Sequence, residues 1–157
     1  MIKIITGETD SGKSTRFIGL HELSDNDIGL FSKKLYDENR QIVGYNLLLL
    51  PSGSQLPFII RKEKVLESEK ENYLFQGRFA LLKESFNIGE QHILNHLSDR
   101  TVWIDEIGGL EIKGLGFANL VKILIRSNCD LVITIRNTLL EKFIDQFGIE
   151  EYELLEN

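Results

Sequence analysis

Gly7-Glu8-Thr9-Asp10-Ser11-Gly12-Lys13-Ser14 is the stretch on which the reading of this chain turns. It has the form G-x-x-x-x-G-K-[ST], the Walker A pattern or P-loop. Each fixed position has a physical reason. A chain that wraps a polyphosphate must point its backbone N–H groups inward, and a Cβ at Gly7 or Gly12 would obstruct that turn. A helix beginning after Gly12 sets its positive end against the phosphates. Lys13 then reaches the β- and γ-phosphates, the Ser14 hydroxyl is the expected Mg²⁺ ligand, and Thr15 adds a hydroxyl near the α-phosphate. Glu8, Thr9, Asp10 and Ser11 complete the cradle. A carboxylate at Asp10 is repelled by a polyphosphate, so its side chain is expected to point outward with its N–H inward.

The surroundings suit the motif. Residues 2–6 form a short apolar run that reads as a buried strand, and residues 13–23 place Phe17, Leu20 and Leu23 near one helix face. Further along, residues 28–31 read as a second strand. Residues 43–50 and 56–60, separated by Pro51-Ser52-Gly53, read as a hairpin. Residues 77–97 look helical, with a break at Asn87-Ile88-Gly89. Phe117, Leu120, Val121 and Leu124 mark a helix face, residues 131–135 another buried strand, and residues 152–155 a last short one. Residues 138–147 read as a helix with Thr138 and Glu141 as a capping box and Gly148 as its stop. Uninterrupted apolar strands alternating with amphipathic helices predict an α/β fold of three layers, α/β/α, around a mostly parallel sheet with an antiparallel hairpin insertion.

The second half of the chemistry is Thr101-Val102-Trp103-Ile104-Asp105-Glu106, an apolar strand ending in two acids, which is the Walker B pattern. Such a strand delivers Asp105 to the carboxyl edge of the sheet, where doubly wound folds bind ligands. Asp105 is the expected second Mg²⁺ residue. Glu106 is placed to orient and polarise an attacking water. Arg136 follows the strand at 131–135 and is expected at the same edge. It either neutralises charge on a transferring phosphoryl group or is a solvated arginine paired with Glu106 or Glu111. Arg40, Arg61 and Lys62 flank the hairpin and are candidates to cover the nucleotide. His92 and His96 share helical i, i+4 spacing without a third ligand, which favours packing over a metal site.

The run Asp105-Glu106-Ile107-Gly108-Gly109-Leu110-Glu111-Ile112 resembles the D-E-I-G-x-M-E-L signature of the THEP1 family of small P-loop nucleoside-triphosphatases. The N-terminal P-loop, the Val43-Gly44-Tyr45 segment and the length are similar as well. The resemblance implies a RecA-like (ASCE) domain hydrolysing ATP, GTP, CTP and UTP to diphosphates with Mg²⁺. It also implies that Ile107 and Gly108 lie beside the nucleotide. Glu111 either orients the water network or caps the helix beginning near Gly116. No base-reading motif such as N-K-x-D occurs, so low base selectivity is expected.

Composition bounds the rest. The 157 residues suit one domain, 1–157, which buries about two-thirds of its unfolded surface without a disulfide. The net charge of −6 argues against a nucleic-acid partner, and no apolar run is long enough for a membrane span. The single Cys129 cannot form an internal disulfide and reads as a small buried side chain in a reduced, cytoplasmic protein. Two other functions fit the same motifs. One is a small P-loop kinase, which needs an acceptor site. The other is an interaction module whose contact with a protein partner is gated by nucleotide.

Overall fold

The computed structural model describes residues 1–9 and 11–155, so Asp10 lies outside the described residues. The first apolar run is strand β1 (Ile2–Gly7), and the helix after the glycine-rich loop is α1 (Lys13–Glu22). β2 (Ile28–Tyr36), β3 (Ile42–Leu50) and β4 (Ser54–Arg61) follow, then β5 (Tyr73–Gln76) and β6 (Phe79–Leu82). The rest of the chain is α2 (Lys83–Asn95), β7 (Val102–Ile107), α3 (Gly109–Ile112), α4 (Ala118–Arg126), β8 (Leu131–Arg136), α5 (Leu140–Phe147) and β9 (Glu153–Leu154).

The strands form a nine-stranded sheet in the order β5-β6-β4-β3-β2-β7-β8-β1-β9. From β2 to β9 the pairings are parallel, and from β2 outward to β5 they are antiparallel. β2 is the hinge between the halves. Residues 28–30 pair with β7 in parallel, and residues 29–36 pair with β3 in antiparallel.

Side chains alternate across a strand, and here the alternation feeds two cores. Ile4 of β1, Val102 and Ile104 of β7, and Ile133 of β8 point into the larger core with Ile93 of α2, Leu120 and Leu124 of α4, and Phe143 of α5. Ile5, Trp103 and Val132, their neighbours in sequence, point to the other face and meet Phe17 of α1. Helices therefore cover both faces, as the uninterrupted apolar strands require. Among the described residues no helix is long and apolar enough to cross a membrane.

Several expectations need correction. The antiparallel part exceeds a hairpin, because residues 73–82 are two more strands. Phe79-Ala80-Leu81-Leu82 pairs with both β5 and β4, and Gly77 at φ 57° makes the turn between β5 and β6. Four apolar residues fit either a helix or a strand, and long-range pairing decides. There is no break at Asn87-Ile88-Gly89. Gly89 is buried inside α2, where a Cβ would lie 3.2–3.3 Å from Leu47, Phe117 and Leu30. Its smallness lets the helix lie close on the sheet. Thr138 does not cap α5, which follows a 3₁₀ turn at Asn137–Leu139 and has Leu139 at its N-cap; Gly148 does stop it, at φ 60°. Cys129 is half-buried, just before β8.

Candidate active site

The two glycines of the loop stand where a side chain fits poorly. Gly12 sits at φ 87°, and a Cβ on Gly7 would collide with the Ser11 hydroxyl. Lys13 Nζ turns back and donates to the Glu8 carbonyl at 2.7 Å. α1 starts without a side-chain cap, which leaves its first N–H groups for an anion. The loop opens onto a cleft of about 650 Å³ whose wall includes Thr9, Ser11, Gly12, Lys13, Ser14 and Thr15.

β7 meets this loop although β8 lies between it and β1. Ser14 Oγ donates to both oxygens of Asp105 at 3.2 Å, across 91 residues of chain. Asp105 is 2 % exposed. It also accepts the Thr134 hydroxyl at 2.6 Å and the Ser32 N–H at 3.4 Å. Burial raises its pKa, and the Thr134 and Ser14 hydrogen bonds hold part of that rise back.

Glu106 stands on a bulge. The pairing of β7 with β8 slips between Ile104 and Ile107, and Glu106 takes φ 61°. A non-glycine residue held there costs on the order of 1–3 kcal/mol, a strain that clusters at functional sites. The bulge turns the side chain out into the cleft, where it is exposed while its neighbours Asp105 and Ile107 are buried. The surrounding protein and then the Asp105 charge raise its pKa, against the pull of Lys34, Lys13 and Arg136. Ile107, Gly108 and Arg136 line the same cleft.

Glu111 resolves toward the cap. Its two oxygens accept the Gly108 N–H at 2.8 Å and the Phe117 N–H at 2.9 Å, closing the start of α3 and of α4. Burial pushes its pKa up to about 6 against those two donors. Arg61 donates to the Ile42 carbonyl at 2.9 Å, and neither it nor Arg40 nor Lys62 belongs to the cleft wall; Gln76 and Arg78, on the turn between β5 and β6, do. Arg78 lies 5.0 Å over the Phe79 ring. His92 donates to the Leu50 carbonyl at 2.9 Å, a packing role.

Thr134, Lys34, Gln76 and Arg78 escaped the sequence reading. Thr134 left one signal, a hydroxyl inside the apolar run of residues 131–135. Ser14 and Asp105 offer hard oxygen donors side by side, the donor type Mg²⁺ selects.

A cradle for phosphates and an Asp-Glu pair facing it across a parallel sheet define a P-loop nucleoside-triphosphatase. The family model described as NTPase matches residues 3–156, and the chain belongs to this family, the THEP1 nucleoside-triphosphatases. It is an enzyme that hydrolyses nucleoside triphosphates. It is 27 % identical over 148 residues to the nucleoside-triphosphatase THEP1 of Methanocaldococcus jannaschii, covering 90 % of this chain and 82 % of that one. Among solved structures it is similar to THEP1 from the hyperthermophile Aquifex aeolicus, with a TM-score of 0.71 at 21 % identity over 99 % of this chain and 89 % of that one. A human cancer-related nucleoside triphosphatase has a TM-score of 0.70 at 17 % identity, over 98 % and 86 % of the two chains.

Proposed function

We propose that this chain is a Mg²⁺-dependent nucleoside-triphosphatase of low base selectivity, acting on ATP, GTP, CTP and UTP. The observation that carries the reading is the convergence on one cleft of Ser14 and Asp105, 3.2 Å apart, with Lys13, Glu106 and Arg136 along the same wall. Ser14 and Asp105 would hold Mg²⁺, Asp105 through water. When bound, the ion offsets charge on the β- and γ-phosphates.

The remaining roles fall to side chains. The loop N–H groups and the start of α1 bind the triphosphate. Glu106 orients a water against the γ-phosphorus and takes its proton as the new P–O bond forms. The bond to the β-phosphate oxygen breaks, and Lys13 meets the charge left on the diphosphate. Arg136 faces charge on the transferring phosphoryl group. The polar wall recognises phosphates, which all four substrates share, and that supports low base selectivity. The test is phosphate release from the four triphosphates with and without Mg²⁺. The reading expects comparable kcat/KM for all four and loss of turnover in chelator. A strong preference for one base, or full turnover without a divalent cation, contradicts it.

A further inference from the structure

Asp105 and Glu106 are consecutive, yet the reading above gives them different tasks. One atom touches both. Thr134 lies in β8, the strand between β7 and β1. Its Oγ1 donates to Asp105 Oδ1 at 2.6 Å and accepts the Glu106 backbone N–H at 2.7 Å. A hydroxyl carries one proton. With the Glu106 N–H directed at its oxygen, that proton goes to Asp105, so the two bonds fix each other's direction.

The consequences differ for the two acids. For Asp105 the bond sets the carboxylate orientation, in concert with Ser14 and Ser32. For Glu106 it anchors the backbone at the slip between β7 and β8, where φ is 61°. An ordinary ladder bond is interrupted there, and the Thr134 hydroxyl takes the N–H instead. Thr134 is 1 % exposed, so it acts through its neighbours. Valine has nearly the same shape and neither donates nor accepts.

We propose that Thr134 is a positioning residue for hydrolysis, holding the Asp105 carboxylate toward Ser14 and locking Glu106 in the bulge that aims its side chain at the cleft. The proposal rests on the roles given to Asp105 and Glu106. Its test compares Thr134→Val, Thr134→Ser, Glu106→Gln and the Thr134→Val/Glu106→Gln double variant at saturating Mg²⁺. Thr134→Val lowers kcat by roughly 10–100-fold, the scale of a small misplacement at a reacting centre. Thr134→Ser keeps the hydroxyl and restores most of the rate. In the Glu106→Gln background the valine adds little, because the residue it would position is already disabled. The Asp105 arm shows as a higher Mg²⁺ concentration for half-maximal rate. ADP affinity in chelator, measured by calorimetry, stays at the parental value. Should the valine variant not fold, Thr134→Cys, with only a weak donor and acceptor, replaces it. Parental kcat in Thr134→Val overturns the proposal. So do losses that multiply in the double variant. A parental rate in Glu106→Gln alone overturns instead the reading on which the proposal rests.

Discussion

At the scale of single residues, Glu111 shows most clearly what a buried carboxylate costs and does. It is 4 % exposed and serves two helix starts at once. Its pKa rises from 4.5 to about 6. The folded state therefore binds more protons than the unfolded state between those values, and stability falls as pH rises through that window. A shift of this size is worth about 2 kcal/mol at most. Urea unfolding of the parent and of Glu111→Gln checks it. The stability of the parent relative to the variant is expected to fall by up to about 2 kcal/mol between pH 4.5 and pH 7. Parallel profiles would show that Glu111 does not titrate in this window. The variant also leaves one backbone N–H facing an amide NH₂, which costs about 1–3 kcal/mol at high pH. The sequence alone left Glu111 between the water network and a cap on the helix beginning near Gly116, because both roles use a carboxylate. Only the Phe117 N–H, six positions on, decides. Lys13, Ser14, Asp105 and Glu106 could be singled out because each stands inside a short local motif, although the contact of Ser14 with Asp105 spans 91 residues. Thr134 could not, since its partners belong to another strand and a single threonine in an apolar run is ordinary.

At the scale of elements, the junction of β2 with β7 is where the two halves of the sheet meet, and Gly29 makes it possible. A Cβ there would lie 2.8 Å from the Trp103 carbonyl and 2.9 Å from the Trp103 Cβ. Neither neighbour can swing away, because one is backbone and the other is anchored to it. Gly29→Ala is expected to cost about 1–3 kcal/mol, as overpacking in a core does. The urea midpoint measures this, and an unchanged midpoint would mean that the strands separate freely. The same junction brings the Ser32 N–H to Asp105, so the cost falls near the site. The parallel strands β1, β7 and β8 were legible as apolar runs that feed a core on each face. β5 and β6 were not. Phe79-Ala80-Leu81-Leu82 flows into α2 without a polar break, and its extended form exists only because β4 and β5 pair with it. The start of α5 misled for the converse reason. Thr138 and Glu141 have capping-box spacing, but the chain leaves β8 through a 3₁₀ turn that places Leu139 at the cap.

At the scale of the molecule, the parallel half of the sheet carries the phosphate cradle and the two acids, and the antiparallel half adds the opposite wall of the cleft with Gln76, Arg78 and Phe79. The division explains why the motifs predicted the chemistry better than the outline of the fold. Walker A and Walker B both lie on the parallel half, where local sequence encodes local structure. The far wall carries no motif, and its strands β5 and β6 are short apolar pieces that become strands through pairing with each other and with β4. On the proposed roles binding and hydrolysis are separable, because Lys13 and the loop would hold the phosphates while Glu106, turned out by its bulge, would meet the water. The decisive measurement is therefore paired: triphosphate affinity by calorimetry and single-turnover hydrolysis with enzyme in excess, for the parent and for Glu106→Gln. The account expects nearly unchanged affinity and hydrolysis at least about a hundredfold slower, the lower end of what a positioned base contributes. Hydrolysis at the parental rate would show that Glu106 does not activate the water.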